Sequence, residues 1–381
     1  MNKRLGISLA AIALALSTIL LAGCPSKHAK SVRIVAILST LGKPAAYGKD
    51  NQAGLEIAKE QFAKDDAHGL PIEVTYEATD GTPESMNTLI RKYANDPSYV
   101  CILGPTTTDE ATTAANLLTQ LPQPLPMLSI GSSGQWLPNG GQFNEWTFRS
   151  TRVDTVIVPD LLRAAQKKYK VHRAVMIYHQ DNEWSMSVKP VYENACRELG
   201  IDLVAEEAAS KGASDWSAQL TKVKGLNPDL IIVNCMAGPA PKVVAQARDM
   251  GIKTPCIGTA GFTNPQTWTT AGTALDGVLV GDIFDPEADT QEVKDFVAAY
   301  KAKYKQTPPA YAAYAYAGYT LFVRATRSAK DPTDRKQLRD SLGALKDIPT
   351  VLGTVSYSGK GDITQHPVIS EIKGGAYHRL Q

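Results

Sequence analysis

Met127-Leu-Ser-Ile-Gly-Ser-Ser-Gly-Gln-Trp-Leu137 is the stretch on which the fold turns. It follows Pro126, opens as a short apolar run, and then breaks into glycines and small hydroxyl residues. A buried strand reads this way when it ends in a turn that exposes backbone N–H groups and hydroxyls. The same succession of apolar run, small-residue turn and helix pattern occurs upstream and recurs downstream. In an open α/β sheet such turns gather at the carboxyl edges of the strands, where small molecules bind.

Upstream, Val32-Arg-Ile-Val-Ala-Ile-Leu38 is a near-continuous branched run, as in a strand covered on both faces. The turn at 39–48 leads into a helix to about Lys64, with Leu55, Ala58 and Phe62 on one face. Ile72-Glu-Val-Thr-Tyr76 alternates as a strand, and Asp80-Gly-Thr-Pro83 opens a helix with a capping residue before proline. Tyr99-Val-Cys-Ile-Leu103 is a third strand. It breaks at Gly104-Pro-Thr-Thr-Thr108 before a helix from about Glu110 to Gln120. Short connections between such βα units predict a parallel sheet with right-handed crossovers.

Past Thr147-Phe-Arg-Ser-Thr-Arg-Val-Asp154 the rhythm restarts, with strands at 174–178, 202–205, 230–234, from 256, and at 278–283. Long helices follow at 290–304 and 311–328, and strands near 354–357 and 368–372 close the chain. The predicted fold class is α/β, with two doubly wound lobes and mainly parallel sheets.

The N-terminus sets the compartment. Met1-Asn-Lys-Arg4 is basic, Leu5 to about Leu20 is apolar, and Leu21-Ala-Gly-Cys24 is a small-residue cleavage site, the parts of a secretory signal. The apolar run is short for a membrane span and lacks a following basic stop, which argues against an uncleaved anchor. Leu-Ala-Gly-Cys resembles the bacterial lipobox, which implies a signal peptide at 1–23, lipidation of Cys24 and a polar tether at 24–30. The protein would then sit in the periplasm or at the cell surface, anchored to a membrane through lipid.

Roughly 360 residues remain, enough for two domains. The 40 Lys and Arg against 38 Asp and Glu leave a net charge of +2, which gives no bias toward nucleic acid. Cys101 and Cys235 lie in strand-like runs, and Cys196 in a helix-like run. Cys235 ends one strand as Cys256 begins the next, so buried thiols are expected rather than a disulfide framework. No cysteine or histidine spacing suggests a metal, and no cofactor is implied. Gly131-Ser-Ser-Gly134 is not the Gly-x-Ser-x-Gly of a nucleophile elbow, and Gly104-Pro-Thr-Thr-Thr108 lacks the lysine of a phosphate loop. His172, His179 and His366 have no evident nucleophile partner. The chain reads as non-catalytic.

Several turns together resemble those of the leucine/isoleucine/valine-binding proteins, extracytoplasmic receptors for ABC-type transport with the type I periplasmic-binding fold. They are Pro44-Ala-Ala-Tyr-Gly48, Gly104-Pro105, the stretch 127–137, Asn227-Pro-Asp-Leu-Ile-Ile-Val233, Ala247-Arg-Asp-Met-Gly251 and Gly359-Lys-Gly-Asp362. Their order and spacing span nearly the whole mature chain. The resemblance implies three crossings between lobes, placed near 151–154, 280–283 and 362–365. Lobe 1 would hold 31–152 plus 281–362, and lobe 2 would hold 153–280 plus 363–381. It further implies a monomer that closes on a small-molecule ligand by hinge bending and docks on an ABC permease. A ligand sensor signalling to a membrane receptor fits the same sequence, since both need only a closing cleft.

The resemblance also implies contacts. Ser133, with Ser132 beside it, falls where the family's hydroxyl holds a ligand carboxylate, and Gly131 where a carbonyl faces the ligand. Thr106, Thr107 and Thr108 occupy the other carboxylate-holding turn, at a helix start whose free N–H groups favour an anion. Tyr47 matches an aromatic residue at the cleft mouth, and Trp184 takes the place of a tyrosine flanking the ligand. The departure is in Gly258-Thr-Ala-Gly-Phe262, where Ala260 replaces the acid that pairs with a ligand ammonium. A buried ammonium without a charged partner costs several kcal/mol. Either Asp181, Glu183 or Asp282 replaces that acid, or the ligand carries no α-ammonium. Cys235, Met236 and Phe262 give this wall an apolar character. The expected ligand is an amino acid, an amide or an organic acid.

Overall fold

The side chains of β1 (Val32–Leu38) alternate across the pleat between two apolar cores. Ile34, Ala36 and Leu38 join one cluster, while Val35 and Ile37 join another on the opposite face. The computed structural model describes residues 31–63, 69–134, 144–359, 361–364 and 366–380. The signal peptide, Cys24 and the tether lie outside the described residues, as do Gln135, Trp136 and Leu137.

After β1 come α1 (Ala45–Gln61), β2 (Ile72–Ala78), α2 (Pro83–Ala94), β3 (Tyr99–Leu103), α3 (Thr108–Leu118), β4 (Met127–Ser129) and β5 (Thr147–Arg149). Their five strands pair in the order β2-β1-β3-β4-β5, all parallel. The chain then runs through α4 (Asp154–Tyr169), β6 (Arg173–His179), α5 (Glu183–Glu198), β7 (Asp202–Ala209), α6 (Ser217–Leu226), β8 (Leu230–Asn234), α7 (Ala240–Asp249), β9 (Cys256–Gly258) and β10 (Leu279–Asp282). Next are α8 (Gln291–Tyr304), α9 (Ala310–Ser328), α10 (Arg335–Gly343), β11 (Ile348–Thr350) and β12 (Gly353–Val355), and the hairpin β13 (Val368–Lys373) and β14 (Ala376–Arg379) ends the chain.

The second sheet has the order β14-β13-β10-β9-β8-β6-β7, parallel except for β13 and β14 at one edge. It repeats the layering of the first. Val175 and Ile177 pack under α6 and α7, while Ala174 and Met176 pack under α4 and α5. Both sheets are doubly wound, as the repeating pattern predicts. Cys101, Cys196, Cys235 and Cys256 are buried and unbridged. Among the described residues, no helix is long and apolar enough to cross a membrane.

Several features differ from the sequence reading. Helix α10 went unread because only Leu338 and Leu342 of its residues are buried, too few to show a period. The closing strand at 368–372 is half of a hairpin. Its two-residue turn, Gly374-Gly375, has φ of 58° and 76°, the positive values a tight hairpin needs. The lobe boundaries also move. Gly281 and Asp282 pair with Ile369 and Val368, so they belong to the second sheet rather than lobe 1. Ile363 bridges Tyr357, and the Thr364 N–H donates to the Ser356 carbonyl, which keeps the chain with lobe 1 through 364.

Helix α9 returns to the first sheet and lies against α1. The approach is close enough that a Cβ on Gly54 would stand 2.0 Å from the Ala312 carbonyl oxygen. Gly54→Ala should therefore destabilise the protein by about 2–3 kcal/mol in urea unfolding. Gly225→Ala, on the exposed face of α6 with open space at its Cβ, should stabilise it by up to about 1 kcal/mol.

Candidate functional site

Strand order reverses between β1 and β3 in the first sheet and between β6 and β8 in the second. Helices leave to opposite faces at such a point, which opens a crevice at the carboxyl ends of the strands. The two crevices meet in a small, partly open cavity. Tyr47, Thr106, Thr107, Thr108, Gly131 and Ser133 line it from the first lobe, with Tyr311 from α9; Trp184, Met236 and Ala260 line it from the second.

Two expected contacts fall elsewhere. Ser132 stands behind the wall, where its hydroxyl donates to Thr108 Oγ1 at 3.2 Å. Phe262 is fully buried in the second-lobe core, and a Cβ on Gly258 would sit 2.6 Å from its ring. The physical reason is the 3-10 turn Ala260–Phe262, which presents Ala260 to the cavity and carries Phe262 inward.

On the first-lobe wall, Thr107 is consumed by a capping box. Its hydroxyl accepts from the Glu110 N–H and donates to the Glu110 carboxylate. Glu110 is fully buried and also accepts from Ser39 and Thr79, so one carboxylate ties together the turns after β1, β2 and β3. Burial pushes its pKa up, and these hydrogen bonds pull the other way. Thr106, Thr108 and Ser133 are placed differently. Thr106 Oγ1 accepts from the Ser39 N–H at 3.2 Å, Thr108 Oγ1 from Ser132, and Ser133 Oγ from Arg152 Nη2 at 3.1 Å. Each hydroxyl has a lone pair occupied by a fixed donor. Among contacts of the described residues its own proton stays uncommitted. The turns carrying them touch. A Cβ on Gly131 would lie 2.3 Å from the Thr106 carbonyl oxygen, so only glycine fits.

Tyr47 is a buried wall residue rather than an aromatic at the mouth. Its ring packs on Tyr311 with centroids 4.4 Å apart. Its hydroxyl accepts from the Ala237 N–H at 2.6 Å and donates to the Ala260 carbonyl at 3.3 Å, both on the opposite lobe. Asp50 of α1 makes a second bond between the lobes, accepting from the Asn264 amide at 2.7 Å. Burial pushes the Asp50 carboxyl up to about 8.

Behind the cavity lies a buried ionic cluster. Arg152 is wholly out of solvent, bonded to Asp154, to the Tyr314 hydroxyl at 3.0 Å and to Ser133, with Asp282 at 3.9 Å. Trp184 Nε1 donates to the second oxygen of Asp154 at 2.8 Å. The sequence reading missed Arg152, although two arginines and an acid in the crossing stretch 149–154 were a visible signal. It missed Tyr311 because the tyrosine-rich α9 shows no sign of which ring would face a cavity. None of the three candidate replacement acids lines the site. Asp181 and Glu183 are exposed, and Asp181 is engaged by Ser210 and the Lys211 N–H. Asp282 accepts from Tyr314 and from the N–H groups of Ile283 and Phe284. Among the described residues no group of histidine, cysteine and acidic side chains could hold a metal ion.

Two outcomes follow from the bonds between the lobes. Tyr47→Phe removes both hydroxyl bonds and leaves the Ala237 N–H unsatisfied, so ligand affinity should drop about tenfold in calorimetric titration. In an open form Asp50 ionises near its ordinary value, whereas the closed form holds the proton to about pH 8. Closing therefore takes up a proton. Affinity should fall as pH rises between roughly 4 and 8 and level off above, and Asp50→Asn should flatten the profile.

The sequence matches the family model described as periplasmic binding protein over residues 31–375. The Leu/Ile/Val-binding protein homolog 2 of Brucella abortus (strain 2308) is 26% identical over 336 residues, which are 86% of this chain and 86% of that protein. The leucine-binding protein LivK of Thermotoga maritima superposes with a TM-score of 0.85 at 22% identity, covering 92% of this chain and 98% of that one. An ABC-transporter solute-binding protein from R. palustris, solved in complex with benzoate, superposes with a TM-score of 0.80 at 18% identity, covering 92% and 95%. With two doubly wound lobes, a cavity where their strand orders reverse, and a match across 31–375, this chain belongs to the periplasmic binding protein family.

Proposed function

We propose that the chain is the solute-binding component of an ABC uptake system of the branched-chain amino acid type, held outside the cytoplasm by lipid at Cys24. Its ligand is a small organic carboxylate without an α-ammonium group, captured between the lobes and handed to a membrane permease. The observation that carries this reading is the polarity of the cavity wall. Thr106, Thr108 and Ser133 offer hydroxyl protons, and no carboxylate lines the cavity among the described residues.

A carboxylate is acceptor-only and can take several such donors at once. An ammonium offers three donors and would face Ala260 and Met236 on the second-lobe wall, with nothing there to balance its charge. A primary amide is intermediate: its oxygen takes the hydroxyl protons, and its NH2 group is left with the remaining hydroxyl lone pairs. The shared architecture does not choose between classes, since one neighbour is a leucine-binding protein and another holds benzoate. Trp184, Tyr47 and Tyr311 enclose the organic part of the ligand, and no chemical step belongs to this reading.

A thermal-shift panel of leucine, valine, urea, benzamide, isobutyramide, benzoate and isobutyrate tests it. A ligand at a thousand times its dissociation constant adds roughly 4 kcal/mol of stability. Carboxylates without an ammonium should stabilise most; stabilisation by leucine or valine alone would sink the reading. Ser133→Ala should weaken carboxylate binding by about tenfold to a hundredfold, and should cost the free protein about 1–3 kcal/mol because Arg152 Nη2 loses an acceptor.

A further inference from the structure

Arg152 is more than the fold requires. Replacing a buried ion cluster with apolar side chains is often neutral or stabilising, so stability alone does not account for a guanidinium wholly out of water. Its contacts give it a direction. On one side are Asp154 and, at 3.9 Å, Asp282; on the other, Nη2 reaches Ser133 Oγ at 3.1 Å, and Ser133 lines the cavity. A guanidinium can only donate, so Ser133 must accept, and the serine proton is left for whatever the cavity holds. The two acids oppose the charge of Arg152 from outside the cavity lining. Trp184 takes the second oxygen of Asp154, and Asp282 accepts from Tyr314 and two backbone N–H groups. The guanidinium reaches the cavity lining at Ser133, while Asp154 reaches it at Trp184.

We infer that Arg152 sets the charge specificity of the cavity: standing one hydroxyl behind the ligand, it makes the site take a carboxylate over the isosteric neutral amide. This rests on the carboxylate reading above. Arg152 is a positioning residue here, orienting Ser133 and placing a fixed cation behind it. No feature of the local sequence around Ser133 carries this preference, because the residue that supplies it arrives from the crossing strand 19 positions later.

Calorimetric titration with two matched pairs, benzoate with benzamide and isobutyrate with isobutyramide, provides the test. Wild type should prefer the carboxylate of a pair by at least about tenfold, a difference of roughly 1.4 kcal/mol. Arg152→Met should bring that ratio to about one or below while amide affinity changes less than about threefold. Arg152→Lys should keep part of the preference, which a purely structural role would not predict. A ratio unchanged in Arg152→Met overturns the inference and leaves the carboxylate reading standing. If Arg152→Met does not fold, Arg152→Lys decides, because it keeps a cation for the two acids while changing the donor that reaches Ser133: a lowered carboxylate-to-amide ratio supports the inference, and an unchanged ratio overturns it. Wild type that binds neither member of either pair removes the carboxylate reading and this inference together.

Discussion

Closing the crevice strips water from a ring of polar groups, and each then needs a partner in the protein or on the ligand. Most are met internally. Thr107 and Glu110 satisfy one another, Tyr47 bonds Ala237 and Ala260, Asn264 bonds Asp50, and Trp184 bonds Asp154. Among contacts of the described residues, the hydroxyl protons of Thr106, Thr108 and Ser133 stay uncommitted on the wall. The ligand is then the group that completes the inventory, and its chemistry is bounded by what is missing. The cavity walls come from both lobes, so a ligand held there would touch both.

The scaffold was legible because it is written in local pattern. Apolar runs mark β1, β3, β6 and β8, and β1 and β3 are followed at once by Ser39 and Gly104, small residues that end a buried strand. The register of Thr106, Thr108 and Ser133 came from resemblance, and the structure sets them around one cavity. Phe262 was misplaced because one 3-10 turn reverses which side chain faces the crevice, and turn geometry of that kind leaves little trace in sequence. The bonds between the lobes were illegible for a different reason. Asp50 and Asn264 lie 214 residues apart, and Tyr47 and Ala237 lie 190 apart, so neither carries a local sign of its partner.

The ionic cluster belongs to neither lobe alone. Arg152 and Asp154 sit on the first connection between the sheets, Asp282 ends β10 at the second, and Tyr314 belongs to α9 on the first lobe. Removing one partner of a buried pair costs about 3–5 kcal/mol because the other charge is left uncompensated, so the members of this cluster depend on one another. Burial pushes Asp282 up, with the Arg152 charge and the Tyr314 hydroxyl opposing it. The cluster therefore places buried, paired charge on the two connections between the sheets.

The doubly wound topology adds a last constraint on the ligand. In both sheets a helix begins where a strand ends, so helix N-termini point toward the crevice. Four cavity residues come from first turns: Tyr47 of α1, Thr108 of α3, Trp184 of α5 and Tyr311 of α9. Each N-terminus carries a partial positive charge from its aligned peptides. A zwitterionic amino acid in such surroundings would set its ammonium against a wall that, among the described residues, carries no acid. A carboxylate needs no such acid, because its charge is opposed by the helix ends around it and by Arg152 behind Ser133.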